Sequence, residues 1–206
     1  MASIYDIKPA FQGVLRPLVG RLASAGVTPN HVTVAALALC HVVGVAELLV
    51  PSQAVLLLLA PVLFVRMALN AIDGMLAREH GPVTALGTLL NELGDVLGDF
   101  VLYLPLALRV GAPLAATALV LIVAFAALGE LAGVSGVQIG ASRRYDGPLG
   151  KSDRAFVFGA LGLALGVGVP TGTWLTAVLW VLVSAAVLTV VNRARSALAE
   201  VQGGAA

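Results

Sequence analysis

Between His31 and Asn192 the chain reads as a series of apolar stretches, each near the ~20 residues a helix needs to cross a bilayer. Six are predicted, at 31–50, 54–79, 85–109, 113–137, 153–169 and 174–192, the fifth being short and glycine-rich. Turn-forming residues separate them: Pro51-Ser52-Gln53, Gly81-Pro82, Gly111-Ala112-Pro113, the polar stretch 140–152, and Pro170-Thr171-Gly172. In hydrocarbon every backbone polar group must be satisfied internally, so runs of this length fold as helices. The expected fold class is all-α: one polytopic membrane domain over 1–206 with a bundle of six transmembrane helices at 31–192. Composition agrees. The 206 residues are 59% hydrophobic and 11% charged, against roughly 25% charged in soluble domains.

Several classes are excluded at this level. A net charge of +1, with no basic run interleaved with aromatics, gives no footing for nucleic acid. A single cysteine, Cys40, rules out an intrachain disulfide and a cysteine-rich metal site. No leader with a small-residue cleavage site precedes the first apolar run. No internal repeat or coiled-coil heptad is visible.

Ahead of the spans, Ile4, Ile7, Phe11, Val14, Leu15, Leu18 and Leu22 recur at helical spacing, with Lys8, Gln12, Arg16 and Ser24 on other faces. This predicts an amphipathic helix over 4–24 at the membrane surface, with Pro9 and Pro17 as potential breaks; a helix packed on the membrane domain is the alternative. Thr28-Pro29-Asn30 is a helix-start signal, with Thr33 one turn on. With six spans both termini share a side. Lys8, Arg16, Arg21, Arg78, Arg143, Arg144, Lys151, Arg154, Arg193 and Arg195 fall on it, while Arg109 falls opposite. Basic residues mark the cytoplasmic side, so both termini are expected in the cytoplasm, with the protein in the cell (inner) membrane.

Carboxylates in such a chain are costly and mark a site or an ion path. Asp73, Glu92, Asp95 and Asp99 all fall within Asn70–Asp99, beside Arg66 and Arg78. Arg66, Asn70, Asp73 and Ala77 share one helix face, and Asn91, Asp95 and Asp99 share another with Glu92 beside them. Clustered acids repel unless a cation intervenes, and hard oxygen donors suit Mg²⁺, Mn²⁺ or Ca²⁺.

The run Asn70-x2-Asp73-Gly74-x2-Ala77-Arg78-x8-Gly87-x3-Asn91-x3-Asp95 resembles the signature of the CDP-alcohol phosphotransferases (CDP-alcohol phosphatidyltransferases), D-x2-D-G-x2-A-R-x8-G-x3-D-x3-D. All spacings match, but the first and third aspartates are Asn70 and Asn91 here, so metal affinity is the property most affected. The resemblance implies transfer of a phosphatidyl or other phosphoalcohol group from a CDP-alcohol, CDP-diacylglycerol foremost, to an acceptor hydroxyl, with release of CMP in phospholipid biosynthesis. It implies Mg²⁺ or Mn²⁺ held by Asn70, Asp73, Asn91 and Asp95, Asp95 as the catalytic proton acceptor, Gly74, Ala77, Arg78 and Gly87 around the nucleotide, and a homodimer among membrane lipids. Glu92, Asp99 and Arg66 are expected to support these residues, the two acids restoring charge that the asparagines lack. Counting from the acids alone would instead place the last two aspartates on Asp95 and Asp99.

Arg143, Lys151 and Arg154 lie in or beside a basic loop before the fifth span. Cations at a helix entrance can hold phosphate, and by the resemblance they would hold a phosphorylated acceptor in preference to a plain polyol; contact with anionic lipid headgroups is the alternative. Gly150-Lys151-Ser152 lacks the preceding strand and glycines of a phosphate-binding loop. Glu130 is expected to pair with Arg66 or a loop cation, Glu47 to snorkel to the interface, and Trp174 to sit in the aromatic belt. His31, His41 and His80 show no ligand spacing. The rival readings are a family member that binds lipid or nucleotide without turnover, and a small transporter, which should show paired repeats or broken helices.

Overall fold

The computed structural model describes residues 4–81 and 84–203, with side chains from residue 10 onward. Pro82 of the expected turn and the side chains of Ile4, Ile7, Lys8 and Pro9 therefore lie outside the described residues. Among the described residues there is no strand. The helices are α1 (Ile4–Ser24), α2 (Pro29–Leu49), α3 (Leu59–Glu79), α4 (Ala85–Tyr103), α5 (Pro113–Gln138), α6 (Lys151–Gly166) and α7 (Thr173–Gly203). Short 3-10 segments, Gln53–Leu58 and Leu104–Leu108, lead into α3 and continue α4.

Local chemistry sets these boundaries. At the start of α2, Thr28 Oγ1 accepts from the His31 amide while His31 Nδ1 accepts from the Thr28 amide, with Pro29 at the first helical position. Thr84 caps α4 by accepting from the Gly87 amide at 3.0 Å. The stretch predicted as one helix over 85–109 tightens to 3-10 geometry from Leu104, where Pro105 removes a donor. The last helix runs past the expected end at 192 to Gly203, so Arg193 and Arg195 are helical. No break occurs at Pro9 or Pro17, because α1 is continuous.

Of the six expected spans, four correspond to helical stretches long and apolar enough to cross a membrane by length and composition: Pro29–Leu49, Gln53–Glu79, Pro113–Gln138 and Thr173–Gly203. The other two helices differ for a shared reason. Helix α4 carries Glu92, Asp95 and Asp99, and α6 spans only 16 residues and opens with Lys151, Asp153 and Arg154. They are the helices that supply much of the polar cluster.

Helix α2 packs against both α3 and α4, α3 against α6, and α5 along α7. The common core holds Leu56, Leu59, Leu63, Leu102, Leu119 and Leu179, with Tyr103 stacked on Phe158 at 4.0 Å between ring centroids. Helix α1 lies on α3: Val19 is fully buried with Val32, Ile72, Met75 and Leu76, and Arg16 meets Glu79 at 3.0 Å. Alternating helix directions bring the N-termini of α2, α4 and α6 to the same end as the C-terminal parts of α3, α5 and α7. Nearly all the buried charge collects there.

At the opposite end, one expectation about an isolated charge fails. Glu47 does not snorkel; it is fully buried, and neither carboxylate oxygen has a partner. Arg109 is spent on backbone, donating to the carbonyls of Glu47, Val50 and Pro51, and so closes the C-terminus of α2.

Candidate active site

Asp73 projects from α3 and is 7% exposed. Its Oδ2 accepts from Thr33 Oγ1 of α2 at 3.1 Å. The same hydroxyl lies 3.1 Å from the Pro29 carbonyl one turn back, so its single proton is shared between the two acceptors. Among the described residues Asp73 has no salt-bridge partner. Asn70, one turn earlier, is half-buried, and its amide nitrogen is enclosed without a hydrogen-bond partner. Arg78 is exposed, and its guanidinium lies over Gly74, with Nη1 3.2 Å from where a Cβ would stand.

Across the gap, α4 presents Asn91, Asp95 and Asp99. The start of α4 lies close against α2 at Gly87, where a Cβ would stand 2.8 Å from Asn30 Oδ1 and 3.0 Å from Thr84 Oγ1. Asp95 is half-buried and pairs through Oδ1 with the ammonium of Lys151, at the start of α6. Asp99 is 3% exposed and clamped by two guanidiniums: Arg66 Nη1 at 2.6 Å, and Arg154 through Nε and Nη2, both at 2.8 Å. Arg66 reaches it by crossing Gly98, where a Cβ would stand 2.9 Å from Nη2, and also donates to the Asp95 carbonyl at 2.7 Å.

Beyond Asp99 the cluster continues into α5 and α7. Glu130, 8% exposed, meets three arginines: Arg154 at 3.2 Å, Arg143 at 3.3 Å and Arg193 at 3.1 Å. Arg143 also holds Glu92 at 2.5 Å and lies over the Tyr145 ring at 5.1 Å. Backbone anchors fix the others: Arg193 Nη1 donates to the Gly129 carbonyl at 2.7 Å, and Arg154 Nη1 to the Leu149 carbonyl at 3.1 Å. The loop over this end is braced by Arg144, which spans Asp146 at 2.8 Å and Glu200 at 2.7 Å. The hydrogen bonds from Arg144 hold the Asp146 carboxyl below the usual carboxylate range.

Asp73 and Asp95 offer carboxylate oxygens, and Asn70 and Asn91 offer amide oxygens, all hard donors that suit Mg²⁺ or Mn²⁺. The orphaned Asn70 nitrogen supports that use. Turned over, the amide presents oxygen in the same place. Among the described residues no three of Asp, Glu, His and Cys converge into a metal-binding group, so a cation held here depends on the asparagine oxygens.

Arranged this way, the motif lines a polar end between α3 and α4, and the CDP-alcohol phosphatidyltransferase family profile matches residues 26–192. The chain belongs to this family. It is therefore a transferase of substituted phosphate groups and a multi-pass membrane protein. It is 45% identical over 198 residues to the inner membrane protein YnbA of Escherichia coli, covering 95% of this chain and 96% of that one. It is 31% identical over 206 residues to the phosphatidylinositol phosphate synthase of Corynebacterium glutamicum, covering 94% and 87% respectively. Among solved structures, it shares its fold with the Mycobacterium tuberculosis phosphatidylinositol phosphate synthase. The form with CDP-DAG bound aligns with TM-score 0.70 at 23% identity, over 88% of this chain and 92% of that one. The form with manganese and citrate aligns with TM-score 0.71 at 23% identity, over 88% of each.

For this family member, the structure brings Asn70, Asp73, Gly74 and Arg66 of α3 to the same end as Gly87, Asn91, Glu92, Asp95 and Asp99 of α4. Ala77 is half-buried beside exposed Arg78 on the last turn of α3. Asp99 and Glu92 were expected to offset the charge lost at Asn70 and Asn91. They are instead occupied, Asp99 by Arg66 and Arg154 and Glu92 by Arg143. Glu130 pairs with a loop cation, as one of its two alternatives held, but not with Arg66. Arg193 carried no sequence expectation beyond marking a side, and its only signal was a cation within one turn of the predicted end of the last span. Thr33 stood in the notable Pro-Asn-x-x-Thr stretch, but its partnership with Asp73, 40 residues on, has no local signature.

Proposed function

We propose that this protein transfers the phosphatidyl group of CDP-diacylglycerol to an acceptor hydroxyl and releases CMP, in phospholipid biosynthesis. The observation that supports the reading is the motif itself, with Asp73 buried on α3 against Thr33 of α2, Asp95 half-buried on α4, and Asn70 and Asn91 one turn before each. The named activities of the Corynebacterium and Mycobacterium relatives, and the CDP-DAG and manganese in the latter's structures, point the same way.

Asn70, Asp73, Asn91 and Asp95 would hold Mg²⁺ or Mn²⁺, which when bound neutralises the diphosphate and stabilises the departing phosphate. Gly74, Ala77, Arg78 and Gly87 frame the nucleotide. The acceptor oxygen attacks the phosphorus nearer the lipid, the bond from that phosphorus to CMP breaks, and Asp95 takes the hydroxyl proton. Of the two possible registers, this one uses the more accessible acid: Asp95 is half-buried with Lys151 on Oδ1, whereas Asp99 is buried between two guanidiniums. Lys151, Arg143 and Arg154 frame the acceptor side.

In the bilayer, α2 to α7 form six crossings, with α4 and α6 shielded by the four apolar stretches, and α1 lies at the surface on α3. Both termini and the catalytic end face the cytoplasm of the inner membrane, and the protein works as a homodimer. The lipid tails then stay in the bilayer while a polar acceptor enters from water. Cysteines introduced near Gln53 and Gly172 should react with an impermeant label in sealed cells, and one at Gly147 should not. Outside labelling at Gly147 contradicts this orientation.

The reaction itself is tested by incubating purified protein with CDP-diacylglycerol, Mn²⁺ or Mg²⁺ and a panel of alcohols, and measuring CMP. Metal-dependent release is expected. Equal release under chelator removes the metal from the mechanism. Binding of CDP-diacylglycerol with no CMP from any acceptor establishes instead a member that binds without turnover, the reading that the two asparagines favour.

A further inference from the structure

The acceptor side holds a group that a phosphorylated acceptor would have to displace. Arg143, Arg154 and Arg193 come from the 139–150 loop, α6 and α7, and converge on one point within α5. Two are set in place by backbone carbonyls, Arg154 by Leu149 and Arg193 by Gly129. Three guanidiniums aimed at a single spot form an anion cradle of the kind that recognises phosphate. A structural ion pair needs only one of them. Here the anion is already present and covalently part of the chain: the Glu130 carboxylate, with Oε1 on Arg154 and Oε2 on Arg143 and Arg193.

The charge of the whole cluster agrees. Its carboxylates are Asp73, Glu92, Asp95, Asp99 and Glu130, and its paired cations are Arg66, Arg143, Lys151, Arg154 and Arg193. Each of these five cations already pairs with Glu92, Asp95, Asp99 or Glu130, while Asp73 pairs with none of them, so an additional dianion would meet guanidiniums and an ammonium that are already engaged. Of the residues expected to hold an acceptor phosphate, Lys151 is on Asp95, Arg154 is on Asp99 and Glu130, and Arg143 is on Glu92 and Glu130.

We propose that Glu130 is an internal anion filling the three-arginine cradle, so that the acceptor of this enzyme is an uncharged polyol and not its phosphate ester. The proposal rests on the transfer reading above and names its acceptor class. Glu130 acts by repulsion: a phosphate entering beside it meets a fixed like charge, and specificity follows from that penalty. A hydroxyl pays no such penalty, since it can donate to carboxylates and accept from guanidiniums at once.

The full chain in detergent, with CDP-diacylglycerol and Mn²⁺, would be given glycerol and inositol in parallel with glycerol 3-phosphate and inositol phosphate. For the wild type, kcat/KM for the free polyol should exceed that for its phosphate at least tenfold. Glu130→Gln, which keeps shape and removes charge, should raise relative use of the phosphate ester tenfold or more, while Glu130→Asp keeps the wild-type preference. Titration of glycerol 3-phosphate by calorimetry gives a readout without turnover, with binding to Glu130→Gln expected at least tenfold tighter than to wild type. A wild type that prefers the phosphate ester, or binds glycerol 3-phosphate as tightly as Glu130→Gln does, overturns the proposal. Should no acceptor release CMP, the transfer reading fails, and the calorimetric comparison still decides the role of Glu130. If Glu130→Gln does not elute as a folded species, the wild-type preference between polyol and phosphate decides it alone.

Discussion

Asp73 on α3 and Asp99 on α4 are 7% and 3% exposed, yet their surroundings differ in kind. Asp73 accepts one hydrogen bond from a neutral hydroxyl, with Asn70 beside it still lacking a partner. Asp99 is held by Arg66 and Arg154, and the same arrangement continues through Glu130 to Arg143 and Arg193. An ionised carboxylate out of water requires a counter-charge. In one half of the cluster the chain supplies it; in the other the chain leaves it to something that binds. Burial alone therefore does not separate a structural acid from a catalytic one, whereas the identity of the partner does. Lys151, on Asp95, sits at the seam between the halves.

The largest effect should come from the self-neutralised half. Asp99→Ala removes the carboxylate that two buried guanidiniums share, and breaking a buried pair on one side costs about 3–5 kcal/mol. Unfolding of the detergent-solubilised variant should show that loss, while any protein that remains folded keeps Mn²⁺-dependent CDP-diacylglycerol binding. A variant as stable as wild type would erase the distinction between the halves from the structural side.

At the seam the effect is smaller and of opposite sign. Lys151→Ala removes the ammonium that competes with a metal ion for Asp95. A hydrogen bond to a charged group is worth roughly 1.5–3 kcal/mol, so Mn²⁺ affinity should rise about tenfold, measured by titration in the presence of CDP-diacylglycerol. Weaker Mn²⁺ binding would mean that Lys151 organises the site and does not merely stand in for the cation.

The motif half of this comparison was legible in the sequence and the clamped half was not. Asn70 to Asp95 are close in the chain, and helical periodicity alone puts the donors on facing stripes. Arg66–Asp99, Arg154–Asp99 and Arg193–Glu130 join residues 33, 55 and 63 positions apart, counted from their numbers, and no local pattern encodes such pairings. The same limit explains Glu47. Its place near the end of an apolar run suggests an interface, but packing of the two 3-10 segments against α2 encloses it. Helix existence was read correctly from apolar periodicity. Of the six spans expected, four are long and apolar enough to cross a membrane by length and composition, and α4 and α6 fall short of that measure because they carry the charges that the site uses.

The most direct measurement is Mn²⁺ binding, followed by electron paramagnetic resonance, in wild type, Asp73→Asn and Asp99→Asn with CDP-diacylglycerol present. Asp73→Asn should lose the bound-Mn²⁺ signal, by about 100-fold in affinity or ~2.7 kcal/mol, and Asp99→Asn should keep it wherever the protein is folded. A signal that survives in Asp73→Asn and disappears in Asp99→Asn would contradict the assignment, placing the cation on the acid that the structure shows already neutralised.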